Sequence, residues 1–259
     1  MIRIAIHGAA GRMGQGIANA CLQSPDLSVH AMLEHAAHPC IGTALPGLPS
    51  YSARLDDALG ADLIVDFSHP SAISPLLDFC AKQRLRLLSG TTGIDESIHR
   101  RFAEAAEQCA LLWAANTSVG VNVLMKLVAE AAEALGQGWD TELLELHHRH
   151  KRDAPSGTAL VLAQLAKGNS TKQLVFSRQG KECKRADDDI AVLALRGGDV
   201  VGEHTVFFLS EGERLELSHR ASHRGVLIDG AIRAARWLAN KDPGLYTMRD
   251  VLFPAAESR

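Results

Sequence analysis

The stretch IRIAIHGAAGRMGQGIANACLQS, residues 2–24, decides the fold. Ile2 to Gly8 is an apolar run that stops at a glycine, the pattern of a buried strand. RMGQGIANACLQS then reads as a helix. Between them GAAGRMG carries glycines at 8, 11 and 14. A glycine turn from strand to helix lets a diphosphate approach the backbone, and the helix start offers N–H donors and a positive dipole end. The same spacing also serves a plain tight turn, so the three glycines alone leave both readings open.

Working outward, LSVHAMLEH (27–35), ADLIVDFSH (61–69), LRLLSGTTG (85–93) and ALLWAANTS (110–118) read as further strands. PSAISPLLDFCAKQ (70–83) and ESIHRRFAEAAEQC (96–109) read as helices between them. The alternation predicts βαβ units and a parallel sheet, whose ligands bind at the carboxyl ends of the strands. Those ends are GAAGRMG, Glu34-His35, DFSHP, SGTTG and AANTSVG. Glu34, 20 residues after Gly14, is placed to accept hydrogen bonds from the ribose hydroxyls of NAD, or is an ordinary surface glutamate. His35, if protonated, and Arg12 are the nearby phosphate contacts; a solvated arginine is the alternative for Arg12. Asp66 either caps the next helix or faces the cofactor.

After Val119 the pattern changes. VGVNVLMKLVAEAAEALG (119–136) is a long helix, followed by the strand ELLELHH (142–148) and the helix SGTALVLAQLAKG (156–168). LVFSRQG (174–180), DIAVLALRGG (189–198) and HTVFFLSEGERLELSHRA (204–221) read as strands with turns, which predicts a mixed or antiparallel sheet. GVLIDGAIRAARWLAN (225–240) is a last helix. His219 and His223 either face the cleft or are structural. No linker or repeat separates the parts.

An apolar content of 46% with 22% charged residues is that of a soluble globular chain. Net charge of -3 and 5% aromatics argue against general nucleic-acid binding. The five cysteines are odd in number and show no CxxC spacing, so reduced thiols are expected rather than disulfides or zinc. The N-terminus lacks the pattern of a signal peptide, and no apolar run reaches membrane-spanning length; a cytoplasmic location with no membrane partner is expected.

Against that mild acidity stands HHRHKR, His147 to Arg152, followed by DAPSGT. Four readings compete: a solvated basic loop, a nucleic-acid patch, a pocket for a small anion, and a metal site. The nucleic-acid reading lacks interleaved aromatics, and the metal reading lacks carboxylate or cysteine partners. In the anion pocket, Lys and Arg supply charge and His and Lys transfer protons. The SGT that opens the next helix holds a carboxylate with hydroxyls and N–H groups.

The motif set GAAGRMG, DFSHP, GTTG, AANTSVGVN, HHRHKRDAPSGTA and GAIRAARWL…GLYTMRDVL resembles the dihydrodipicolinate reductase family, in the family's order over nearly the whole chain. The resemblance implies an α/β fold: a Rossmann-type parallel-sheet dinucleotide-binding domain, residues 1–118 and 229–259, plus an α+β mixed-sheet domain, residues 119–228, that binds substrate and builds a homotetramer. It implies reduction of 4-hydroxy-tetrahydrodipicolinate, a small dicarboxylate, with NADH and/or NADPH, in diaminopimelate and lysine biosynthesis. Gly8, Ala9, Ala10, Gly11, Arg12 and Met13 would line the diphosphate, with Glu34 and His35 at the ribose. Gly90, Thr91, Thr92, Ala114, Ala115, Asn116 and Thr117 would lie on the nicotinamide side. His147 and Lys151 would carry protons, and His148, Gly157 and Thr158 would bind carboxylates. No metal is implied. Two positions depart from the family: His35 stands where arginine often follows the acidic residue, which points to NADH or dual use, and Thr117 stands where several relatives have phenylalanine. Crowded like charge is expected to lower the pKa of Lys151 and the nearby histidines. An aspartate- or homoserine-type dehydrogenase, or a non-catalytic NAD(P) sensor, would have no need of HHRHKRDAPSGT.

Overall fold

The computed structural model describes residues 1–254. From the N-terminus run β1 (Ile2–His7), α1 (Arg12–Leu22), β2 (Leu27–Leu33), β3 (Tyr51–Ser52), β4 (Leu63–Asp66), α2 (Pro70–Gln83), β5 (Arg86–Ser89), α3 (Glu96–Ala105) and β6 (Ala110–Trp113). Next come α4 (Val119–Leu135), β7 (Asp140–His147), α5 (Gly157–Lys167), β8 (Gln173–Val175), β9 (Asp189–Arg196), β10 (Gly202–Ser210) and β11 (Glu213–Ala221). α6 (Gly225–Leu238), β12 (Gly244–Tyr246) and α7 (Met248–Leu252) follow. Among the described residues no helix is long and apolar enough to cross a membrane.

Contacts divide the chain into two units, Met1–Ser118 with the chain from Gly225 onward, and Val119–Arg224. The sequence reading returns the chain to the first unit at 229; the contacts return it at Gly225. The reason is that α6 starts there, and its first turn is tied down when Thr117 Oγ1 donates to the Leu227 carbonyl at 2.7 Å. Residues 255–259 of that expected domain lie outside the described residues.

The first unit is a parallel sheet in the order β12-β6-β5-β4-β1-β2-β3. Strand alternation feeds two cores. Ile4, Ile6, Leu63, Val65, Leu88 and Leu112 join Ile17 and Ala18 of α1 and Ala231 and Ala234 of α6. Ala5, Ile64, Leu87 and Leu111 point the other way, to Ile73, Leu76 and Leu77 of α2 and Phe102 of α3. Burial on both faces is why these strands read as continuous apolar runs. Each fully buried Leu or Ile contributes about 2 kcal/mol. Strand order reverses between β1 and β4, and such a switch point is where ligands bind in this class of sheet. β3 and β12, two and three residues long, are absent from the sequence reading because so short a run shows no periodicity.

The second unit is a mixed sheet in the order β11-β10-β7-β9-β8, parallel on the β9 side of β7 and antiparallel on the β10 side. One face sets Leu143, Val192, Val206 and Phe208 against Leu124 and Val128 of α4 and Leu162 and Ala163 of α5. The strand expected over 174–180 ends at Val175. Beyond it Arg178 leaves the ladder to form a two-pronged bond with Glu142, at 2.6 and 2.8 Å.

Candidate active site

The glycine turn is set by close backbone approach. Gly8 has φ +76°, and a Cβ there would stand 2.6 Å from the Phe67 carbonyl oxygen. A Cβ on Gly14 would stand 2.4 Å from the Gly8 oxygen, so the first turn of α1 lies directly on the loop. The loop is hung from the end of β2: the Gly8 and Ala9 N–H groups both donate to the Leu33 carbonyl at 3.0 Å. α1 opens at Gly11 with no side-chain cap. A compact turn with an uncapped, positive helix start fits a dinucleotide diphosphate. Arg12 is exposed beside it, whereas Ala9 is fully buried and lends only its backbone to the shape.

Glu34 spans the turn: Oε2 accepts the Ala10 N–H at 2.9 Å and Oε1 accepts the His35 N–H at 2.8 Å. His35 is exposed, and its Nδ1 accepts the Ala37 N–H at 3.3 Å. Asp66, at the switch point, neither caps α2 nor reaches solvent; His69 is the cap, accepting the Ser71 N–H. Asp66 instead bonds the Nδ1 of His7 at 2.8 Å and accepts from the hydroxyls of Ser89 at 2.7 Å and Thr91 at 2.8 Å. Burial pushes the Asp66 carboxyl up, but the His7 partner and the hydroxyl bonds hold it below its ordinary value. The Thr91 hydroxyl is therefore turned inward, as is that of Thr117. Thr92 and Ala115 are exposed, Gly90 and Asn116 are half-buried, and Ala114 is buried. His7 and Asp66 have no local sequence pattern that marks them as partners.

In the second unit the basic run is sorted by burial. His147 ends β7 on its inner face and is buried; His148 and Lys151 are half-buried; Arg149, His150 and Arg152 are exposed. His147 Nδ1 bonds Glu145 Oε2. Glu145 is fully buried along its side chain and gripped by Arg196 through both oxygens at 2.8 Å, and it accepts the Ser156 N–H at 3.0 Å. Burial pushes the Glu145 carboxyl up, but Arg196, His147 and the Ser156 N–H outweigh it and hold the group low. Burial is also the first cause that lowers the His147 pKa; Glu145 opposes it, and Lys151 and Arg196 add to it. His204, edge-on to His147 with ring centroids 5.2 Å apart, is pushed down to about 4 by burial first and then by His147.

For His147, burial precedes like charge as the cause of the shift, and the Lys151 ammonium has a counter-ion, with Nζ 2.8 Å from both oxygens of Asp153. The Ser156 hydroxyl is buried: it caps α5 by accepting the Ala159 N–H at 3.2 Å and meets His204 Nε2, also at 3.2 Å. Gly157 and Thr158 are the first two residues of α5, at the positive end of its dipole. Arg224, which the sequence reading passes over, brings its guanidinium to 3.0 Å from His148 Nε2. His219 is half-buried in β11 opposite His204, and His223 is exposed.

A parallel sheet with a glycine-lined switch point, carried on one chain with a mixed-sheet unit that holds a His–Lys cluster, defines a nicotinamide-dependent oxidoreductase. The chain matches the family descriptions "Dihydrodipicolinate reductase, N-terminus" over residues 2–117 and "Dihydrodipicolinate reductase, C-terminus" over residues 120–252. It belongs to the dihydrodipicolinate reductase family. Relatives called 4-hydroxy-tetrahydrodipicolinate reductase include that of Herminiimonas arsenicoxydans, 42% identical over 97% of this chain and 98% of the relative. That of Anaeromyxobacter dehalogenans is 44% identical over 97% and 98%. Among solved structures, the dipicolinate-bound dihydrodipicolinate reductase of a Paenisporosarcina species shares the fold, with a TM-score of 0.78 at 23% identity over 95% of this chain and 97% of that one. The chain is thus an NAD(P)H-dependent reductase.

Proposed function

We propose that this chain reduces 4-hydroxy-tetrahydrodipicolinate to tetrahydrodipicolinate in diaminopimelate and lysine biosynthesis, with Lys151 and His147 as its proton carriers. The observation that carries the assignment is the sorting of HHRHKR: one histidine buried on a gripped carboxylate, one lysine near enough for its charge to act on that histidine, and a helix start whose Ser156 N–H meets the same carboxylate. Gly8 to Met13 hold the cofactor diphosphate, Glu34 and His35 lie at its ribose, and residues 90–92 and 114–117 shape the nicotinamide side, Thr91 and Thr117 through their backbones. NADH or NADPH, when bound, supplies a hydride to ring C4 of the conjugated imine formed as the substrate loses water.

His148, Gly157, Thr158 and Arg224 supply cationic and N–H contacts to a substrate with two carboxylates. Lys151 stabilises the negative charge that develops on the ring and yields a proton. Asp153 holds its ammonium until an incoming carboxylate competes for it. The uncovered face of the second unit's sheet, with Leu193 37% and Leu195 50% exposed, supports a homotetramer formed through this unit. A cytoplasmic location accompanies a reductase that draws on the NAD(P)H pool.

The test is the absorbance of NADH and of NADPH in the presence of enzymatically generated substrate. Oxidation of either cofactor, dependent on substrate, is expected. No absorbance loss with either overturns the reading.

A further inference from the structure

His147 is buried and held from behind through Nδ1. Its Nδ1 faces a carboxylate whose remaining capacity is taken by a two-pronged Arg196 and by the Ser156 N–H. A buried carboxylate that accepts two guanidinium bonds and an amide bond is ionised, and an ionised carboxylate only accepts. The hydrogen of that pair therefore sits on Nδ1, which leaves Nε2 as the ring atom for any other partner. Register builds this arrangement: Glu145 pairs with Ala194 of β9 and His204 of β10, and His147 pairs with Arg196.

On the opposite edge of the ring stands Gly202. Its φ lies outside the left-handed region, so the backbone there does not call for glycine. The reason is contact: a Cβ at 202 would stand 2.9 Å from His147 Nε2 and 3.2 Å from its Cδ2. A side chain at 202 would therefore press on the Nε2–Cδ2 edge of the imidazole, the edge that points away from Glu145.

We infer that Glu145 and Arg196 are positioning residues that fix His147 in the Nδ1–H tautomer, and that Gly202 keeps Nε2 uncovered as the nitrogen that exchanges protons with the substrate. This rests on the proton role proposed for His147 and goes further, naming the atom and the residues that select it. The Nε2–H bond breaks as a C–H bond forms at the ring carbon next to C4, which receives the electron pair displaced by the hydride. Nε2 keeps its own pair and is reprotonated by Lys151, which regains its proton from solvent, so that the ring takes up a single proton. Glu145 stabilises the imidazolium required before that step. Besides Glu145, the charged and titratable groups that face His147 are Lys151, Arg196 and His204.

The experiment is a double-mutant cycle with pH profiles, on the full-length protein. Glu145→Gln preserves shape and removes the charge. Its kcat is expected to fall roughly a hundredfold, with cofactor affinity unchanged. The limb of the kcat profile that disappears in His147→Gln is expected to shift to lower pH, since the charge that favours the imidazolium is gone. In the His147→Gln background the Glu145→Gln change is expected to add less than about twofold, because residues that act as a unit are not additive. A full additional loss in that background, or an unmoved limb, overturns the inference. Normal turnover in His147→Gln is a separate failure, of the proton role itself. If Glu145→Gln does not fold, Gly202→Ala carries the test with the charges intact: a tenfold or greater loss of kcat supports the inference, and unchanged kcat overturns it.

Discussion

Asp66 in the first unit and Glu145 in the second are both fully buried carboxylates bonded to a histidine Nδ1 at the carboxyl end of a strand. Their remaining partners differ. Asp66 is completed by the hydroxyls of Ser89 and Thr91, which belong to the end of β5 and the turn beyond it. Glu145 is completed by a guanidinium and by the N–H that precedes α5. The first arrangement knits the ends of β1, β4 and β5 together, and so shapes backbone at the switch point of the sheet. The second fixes one imidazole. The same pairing of groups ties main chain together in one unit and orients a single side chain in the other; the proposed function gives only the second a part in the chemistry, and each variant below tests that division.

The largest effect belongs to the second unit. Lys151→Ala and His147→Ala are each expected to lower kcat by about 10²- to 10⁴-fold, the range for a lost proton donor. Cofactor affinity should remain near that of the parent chain, because neither change alters the first unit. Steady-state kinetics beside cofactor titration checks this. Near-normal turnover in both variants breaks the comparison, since the second unit's histidine would then be as structural as His7.

Asp66→Ala should do the reverse. Removal of the carboxylate leaves His7, Ser89 and Thr91 without their common partner, a loss of roughly 3 to 5 kcal/mol in stability. Thermal or urea unfolding should show it, while the folded fraction keeps kcat within a few-fold at saturating cofactor. A stable Asp66→Ala protein with lost kcat would move Asp66 into the chemistry.

Acid titration separates the two units by pH. The folded pKa of His204 is pushed down to about 4 from an ordinary 6.5. A depressed value means the contribution of neutral His204 is present above 6.5 and is lost as pH falls toward 4. His147 and His219, in the same unit, are lowered too and share the sign. Asp66 is held below its ordinary carboxylate value, so its contribution survives that window and is lost only as pH falls further. Stability lost between pH 6.5 and 4 should therefore come from the second unit, with His204 responsible for up to about 3 kcal/mol. His204→Gln is expected to flatten the pH dependence of Tm over that window. An unchanged slope would show that His204 titrates normally.

The sequence carries these two regions unequally. The first unit is legible because parallel strands buried on both faces leave unbroken apolar runs, and because the glycine turn lies within one short segment. In the second unit, HHRHKR announces its composition but not its division of labour. His147 is distinguished from its neighbours by strand register, which sets it beside Arg196 and Gly202, about 50 residues away in sequence. Nothing local marks Arg196 or His204 as parts of its setting. Asp66 escapes for the same reason: its histidine partner is 59 residues distant.

Glu34 gives the smallest effect and the finest test, because it joins the two kinds of role within one side chain. Its oxygens already accept the Ala10 and His35 N–H groups, so it anchors the glycine turn. A carboxylate has room for about four acceptor bonds, which leaves capacity for ribose hydroxyls. Glu34→Gln separates the roles. If Glu34 only anchors the loop, kcat/KM falls equally for NADH and NADPH. If it also meets the ribose, loss of the negative charge favours a 2'-phosphate over a 2'-hydroxyl, and the NADH-to-NADPH efficiency ratio falls by about tenfold, the worth of one charge-assisted hydrogen bond. The expected outcome is the shifted ratio; an untouched ratio with both efficiencies lowered would return Glu34 to the company of Asp66, as a residue that shapes backbone.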